Sequence, residues 1–133
     1  LSAICDFKEA TPVDPNHPFL SRHPNKTRIE WWGTQIQPHG YLDTHFHPVG
    51  WLSGVYYPVL SEAFKAHSES REGWIEFGRE YYKIKSDDNP PVFTIKPDTG
   101  LMVLFPSYFG HRTLPFSIDD ERMSVAFDVI PVE

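Results

Sequence analysis

Thirteen prolines are spread along this chain from Pro12 to Pro131, and they break up any long helical pattern. The segments between them are short and rich in Val, Ile, Phe, Tyr and Trp, which fit a pleated, half-buried surface better than a helix. Short runs of this kind, punctuated by turn residues, are the pattern of an all-β sandwich or barrel. With 133 residues, 40% of them hydrophobic and 15% aromatic, the chain can bury a real core as one domain.

In chain order, residues 1–28 read as an irregular arm with turn-like clusters at Asp14-Pro15-Asn16-His17-Pro18 and His23-Pro24-Asn25. The histidines of those clusters, His17 and His23, read as turn or surface residues. Residues 29–133 read as the β core. Strands are expected over residues 28–37 and 41–47, joined as a hairpin by Pro38-His39-Gly40, and then over residues 51–59. Residues 61–70 form the one short helix expected, with Ser61 as N-cap and Glu62 in the first turn; His67 is exposed on it. Residues 73–78 and 92–96 read as strands, with a polar loop over 87–91 between them. A tight turn, Pro97-Asp98-Thr99-Gly100, leads to an apolar strand over 101–105, and the last strand covers 122–129. Trp51 and Trp74 are expected in the core.

The formal charge of −6, without a run of Lys or Arg, argues against nucleic acid or an acidic membrane as the main partner. No apolar run reaches bilayer-spanning length and no signal-peptide pattern opens the chain. A single cysteine, Cys5, cannot form an internal disulfide, which fits a reducing, cytoplasmic setting; no nucleophilic role is expected of it. The chain starts with Leu, so it reads as the C-terminal part of something longer.

The chemistry centres on Thr44-His45-Phe46-His47-Pro48. Side chains alternate faces along a strand, so His45 and His47 would point the same way and could grip one metal ion. Imidazole suits iron, zinc, copper and nickel. On its own, His-x-His is a weak motif, and His111 alone reads as a loop histidine bonded to backbone. Asp43, two residues before His45, is the carboxylate that could join the pair. Tyr56 and Tyr57 straddle two faces, so one of them must point inwards. Glu76 is a further conceivable acid.

Several phrases together resemble a family. His45-Phe46-His47-Pro48, Gly50-Trp51-Leu52-Ser53-Gly54-Val55-Tyr56-Tyr57, Gly73-Trp74-Ile75-Glu76-Phe77-Gly78 and Gly100-Leu101-Met102-Val103-Leu104-Phe105-Pro106-Ser107-Tyr108, then His111 and Arg122-Met123-Ser124, are similar to 2-oxoglutarate/Fe(II)-dependent oxygenases. Within them, a closer match is to a bacterial group sometimes fused to tetratricopeptide repeats. It covers nearly the whole chain, including the opening Asp14 to Leu20 stretch. The resemblance implies a double-stranded β-helix, a jelly roll of cupin-like type. It implies Fe(II) held by His45, His47 and His111, with 2-oxoglutarate and O2 as cosubstrates and hydroxylation of a small molecule or peptide as the activity. Arg122 with Ser124 would hold the distal carboxylate of 2-oxoglutarate: the guanidinium gives a planar bidentate match, and Ser124 lies two residues on, on the same face. The inward tyrosine, taken as Tyr57, could bond the same carboxylate.

One position departs from the superfamily pattern. The usual carboxylate ligand is replaced by His47, which leaves the site one negative charge short. A three-histidine, cupin-like dioxygenase that does not use 2-oxoglutarate is therefore a second reading, and a non-catalytic ligand-binding module a third. Zinc hydrolysis is a fourth, weakened because no clear general base lies beside the histidines. Arg122 could instead pair with Asp119, Asp120 or Glu121. The arm and residues 58–72 and 79–91 are the loops expected to close the pocket.

Overall fold

The computed structural model describes residues 2–67, 69–79 and 91–132. In order these form α1 (Ser2–Ala10), β1 (Thr27–Ile36), β2 (Leu42–His45), β3 (Leu52–Tyr56), α2 (Glu62–Ala66), β4 (Ile75–Phe77), β5 (Phe93–Ile95), β6 (Met102–Pro106), β7 (His111–Thr113) and β8 (Arg122–Pro131). The strands make two four-stranded antiparallel sheets, ordered β1-β8-β3-β6 and β2-β7-β4-β5. The chain passes from one sheet to the other at every connection but β4–β5. That alternation, with the first strand paired to the last, is a double-stranded β-helix, or jelly roll.

The hairpin expected across Pro38-His39-Gly40 does not form: β1 pairs along its whole length with β8, and β2 pairs with β7. The turn instead carries the chain between sheets, with the Gly40 amide donating to the Gln37 carbonyl at 2.9 Å and His39 at a φ of 66°. The turn forms where the local residues place it, but turn chemistry alone does not set which strand pairs with which. Likewise the 97–100 turn joins β5 and β6 across the two sheets. The polar loop over 87–91 and most of the 79–91 loop lie outside the described residues.

Between the sheets, alternate residues of each strand face one another: Val55 and Tyr57, Val103 and Phe105, Ile75 and Phe77 form the central core. One end is closed by Ile36, Leu60, Phe64, Phe116 and Ile118. Here α2 sits, with the Phe64 amide donating to the Ser61 hydroxyl as the N-cap reading requires; the helix stops at Ala66, short of residue 70. Exposed His67 follows it.

The arm is not wholly irregular, since Ser2–Ala10 is helical. No acidic residue or cap marks its start, so propensity hid it; what holds it is burial of Ile4 and of Phe7 against Trp51, Leu52 and Val129 on the outer face of the larger sheet. Trp51 is buried as expected, whereas Trp74 is only half-buried. Among the described residues no helix is long and apolar enough to cross a membrane.

Candidate metal centre and anion pocket

Three imidazoles meet at one place between the sheets. His45 ends β2 and His111 opens β7, and the two face each other directly in the ladder, with ring centroids 4.3 Å apart. The β2–β7 register shifts between Leu42 and His45, which re-aims the histidine relative to a regular strand. His47 lies two residues beyond the end of β2, so strand alternation is not what turns it beside His45. Its backbone amide donates to the Ser107 carbonyl at 2.9 Å, and this tether brings its ring within 5.3 Å of His45 and 5.2 Å of His111.

Each ring is oriented through Nδ1. His45 Nδ1 bonds the Asp43 carbonyl at 2.7 Å and His111 Nδ1 the Phe109 carbonyl at 2.9 Å, while His47 Nδ1 bonds Asp128 Oδ1 at 2.6 Å. Carbonyl and carboxylate oxygens only accept, so all three Nδ1 atoms carry a proton and Nε2 is the nitrogen each ring has left for a metal. One ligating nitrogen from each ring lies within 4.8 Å of the others. Burial pushes the His111 pKa down from 6.5 to about 4, with neighbouring His45 and His47 adding to the effect and the Phe109 carbonyl opposing it. A neutral imidazole at neutral pH is what a metal ligand must be. The cluster fits a transition-metal ion.

Behind His47 runs a chain of polar groups absent from the sequence reading. Asp128 Oδ1 also lies 2.6 Å from Ser53 Oγ, which lies 2.8 Å from Ser107 Oγ. Because the carboxylate cannot donate, the Ser53 proton points to Asp128 and the Ser107 proton to Ser53. Ser53 and Ser107 are fully buried, with the Asp128 side chain largely covered beside them. Asp128 could have been noticed: Arg122, Ser124, Ala126 and Asp128 fall at every second position of one strand. Trp32 was also missed. Its ring stacks on His47 at 5.7 Å while 41% of it remains exposed on the edge strand.

The anion-type residues lie in the same narrow cavity, which is lined by His45, His47 and His111 together with Tyr57, Arg122 and Ser124. Arg122 is 2% exposed. Its Nε donates to the Gly73 carbonyl at 2.8 Å and its Nη2 to the Tyr57 hydroxyl at 3.0 Å, and the guanidinium lies 5.0 Å over the Tyr57 ring. Among the described residues it has no carboxylate partner, so the ion pair with Asp119, Asp120 or Glu121 is not made. Tyr57 is the inward tyrosine, fully buried, and burial raises its pKa against the opposing pull of Arg122; Tyr56 faces outwards. Burial likewise lowers the pKa of Arg122.

Two candidates fall away. The Asp43 carboxylate is exposed and accepts from the Thr44 amide at 2.8 Å, outside the histidine cluster; it serves His45 only through its carbonyl. Glu76 sits on the outer face of its strand and accepts from Arg112 at 2.7 Å and Arg79 at 2.9 Å. Burial raises its pKa, but the two arginines outweigh this and hold it below the usual range. It is a structural ion pair. His17 accepts from the Phe19 and Leu20 amides, a turn role as read.

Fold and site thus define a jelly-roll protein with a three-imidazole centre and a buried cation in one cavity. Residues 30–128 match the family described as "Putative 2OG-Fe(II) oxygenase", and the chain belongs to it. In structure it is similar to a prolyl-4-hydroxylase from Pseudomonas putida, with a TM-score of 0.58 and 20% identity, over 79% of this chain and 52% of that one. It therefore spans about half the length of that enzyme, and at this identity the likeness speaks to the fold. Cupin proteins from Bordetella pertussis and Desulfovibrio desulfuricans also match, each with a TM-score of 0.45 and 12% identity, covering 81% and 84% of this chain and 86% and 79% of theirs. No curated protein matches the chain significantly.

Proposed function

We propose that this protein is a non-haem Fe(II)- and 2-oxoglutarate-dependent oxygenase that hydroxylates a small-molecule or peptide substrate in a reducing cytoplasm. The reading rests on one observation above others: a fully buried arginine that, among the described residues, has no carboxylate partner, in the same cavity as three clustered imidazoles. His45, His47 and His111 hold the iron through Nε2. Arg122, Ser124 and Tyr57 hold the distal carboxylate of 2-oxoglutarate.

Iron and 2-oxoglutarate, when bound, supply the O2 chemistry that oxidises the keto acid to succinate and CO2 and leaves one oxygen atom for a substrate C–H bond. The chain's own residues bind, orient and exclude water. Asp43 and Phe109 carbonyls and the Asp128 carboxylate fix three ring tautomers and so spare the metal any reorganisation. Arg122 has five N–H donors; with two committed to Gly73 and Tyr57, three are left for a carboxylate, enough for a bidentate grip. The Tyr57 hydroxyl, already accepting from Arg122, keeps its own proton to donate to the same anion. The central core around Val55, Ile75 and Phe105 lines the remaining wall and keeps bulk water out.

Anaerobic titration of the Fe(II)-loaded protein with 2-oxoglutarate tests this. A weak visible charge-transfer band is expected, and it should be lost in Arg122→Ala. Iron binding without a band would transfer the assignment to the second reading, a three-histidine dioxygenase independent of 2-oxoglutarate. The observation that favours that reading is the absence of a carboxylate among the three clustered ligand side chains.

A further inference from the structure

The histidine cluster opens beside a second, much larger space. A cleft of about 970 Å³ runs between arm residues 18–26 and the loop that carries His47, and His47 lines both cavities. A volume at the upper end of ordinary ligand pockets suits an extended ligand more than a small metabolite. The walls of this cleft carry Arg22, Lys26 and His23 and not one Asp or Glu, although the chain as a whole is at −6.

These cations are free to be used. Arg28, Lys65, Arg79, Lys96 and Arg112 each have a carboxylate partner, whereas among the described residues Arg22 and Lys26 have none. Both are exposed to the cleft side of the arm, so their charge is available at little cost in desolvation. Beneath them Trp51 is 7% exposed, and among the described residues its Nε1 has no hydrogen-bond partner; neither has the buried Nε2 of His23, whose ring lies 5.6 Å from that of Trp51. Both nitrogens are themselves covered, so they lie behind the cleft surface, which Arg22 and Lys26 line.

The cleft is also built to hold its shape. Lys8 Nζ donates to the Pro24 carbonyl at 2.8 Å and stands 5.6 Å over the Trp51 ring, tying α1 to the arm. At the far end the Val132 amide donates to the Lys26 carbonyl at 3.1 Å. A preformed wall that carries cations loses little freedom on binding.

We infer that this cleft is the substrate entrance and takes a ligand with clustered carboxylates, an acidic peptide segment or a polycarboxylic acid, gripped by Arg22 and Lys26 with its reacting part at His47. The last clause rests on the oxygenase reading; the anion site does not. Opposite charge at the mouth would also speed encounter and make binding sensitive to salt.

The test is fluorescence anisotropy of a fluorescein-labelled hexaglutamate peptide at low ionic strength, with citrate as an unlabelled competitor. Metal-free and Mn(II)-loaded protein are both titrated. Binding should weaken about tenfold in the Arg22→Gln, Lys26→Gln double variant, the loss of two solvent-exposed ion pairs, and should fall with added salt. Arg28→Gln, which removes a cation already paired outside the cleft, should bind as the parent does. Citrate binding that depends on Arg22 and Lys26, read by calorimetric titration, without peptide binding would assign the anion site to a small polycarboxylic acid. Binding of neither probe, or equal binding by the double variant, overturns the inference. If 2-oxoglutarate forms its band while neither probe binds, only this inference falls; if the peptide binds through Arg22 and Lys26 while iron does not bind, only the oxygenase reading falls.

Discussion

Asp128 is the group through which the three-histidine site can be tested most directly. Its carboxylate stands 2.6 Å from His47 Nδ1, and the two side chains are only 14% and 13% exposed, so solvent screens their interaction weakly. A hydrogen bond to a charged group is worth about 1.5–3 kcal/mol, and loss of the carboxylate behind a metal-bound imidazole costs about 10–100-fold in metal affinity. Asp128→Asn keeps an oxygen that can accept from both His47 and Ser53 and removes only the charge, so the lower end, about tenfold, is expected of it. Asp128→Ala also releases the ring and should approach the upper end. The assay is calorimetric titration of metal-free protein with Co(II), repeated anaerobically with Fe(II), with circular dichroism to establish that each variant is folded. A His67→Ala control, at an exposed histidine outside the cluster, should not change affinity. Folded Asn and Ala variants that both bind Co(II) within about twofold of the parent would refute the idea that Asp128 tunes the site.

The buried cation gives a second expectation: Arg122→Met should melt at or above the parent's temperature without ligand, because an apolar chain replaces an unpaired buried charge. It should also lose the stabilisation that 2-oxoglutarate with Mn(II) gives the parent, as a thermal scan would show; retained stabilisation would count against an anion role. At Gly50, a Cβ would come within 2.3 Å of Ser107 Oγ and 3.3 Å of the Leu52 carbonyl. Gly50→Ala should therefore lower stability by about 1–3 kcal/mol in urea unfolding, and an unchanged midpoint would contradict the packing described. His111, held at about 4 chiefly by burial, binds fewer protons in the native metal-free protein than in the unfolded chain. Stability is then unaffected above pH 6.5 and falls as pH drops from 6.5 towards 4. His111→Gln should flatten that slope, by up to about 3 kcal/mol over the window; parallel pH profiles would disprove the assignment.

Much of this molecule is legible in its sequence because its strands carry their own period. Val55 and Tyr57, Val103 and Phe105, and Arg122 and Ser124 fall two apart and share the inner face, as alternation requires. What escaped was anything decided between segments. The three-residue strand His111–Thr113 is too short to show a period, yet it is where His111 meets His45. His45 and His47 come together as anticipated, but by a bulge and by the tether from His47 to Ser107, two features that no local pattern encodes. Helix α1 has no cap signal and exists because Ile4 and Phe7 find Trp51 and Val129, residues far along the chain. Asp128 looked like one more polar position on an alternating strand; only its approach to His47 gives it a role.

A single strand carries both charges of the site. Along the inward face of β8 the order is Arg122, Ser124, Ala126, Asp128, a cation at one end and an anion at the other. Six residues of strand separate them by about 20 Å, too far for the two charges to neutralise each other through a dry core. Asp128 is instead spent on His47, where it supplies from one layer out the negative charge that the three-histidine set lacks. Among the described residues Arg122 keeps only a carbonyl and a phenol, and a buried guanidinium with no anion destabilises the fold. Between them Ala126, opposite Trp32 on one side and Val55 on the other, is the small residue that leaves the space open. A larger apolar residue at 126 and at 122 would pack this interior better. That the chain keeps a cation without a partner next to room for one is a pattern that folding alone does not require, and an incoming carboxylate would relieve it.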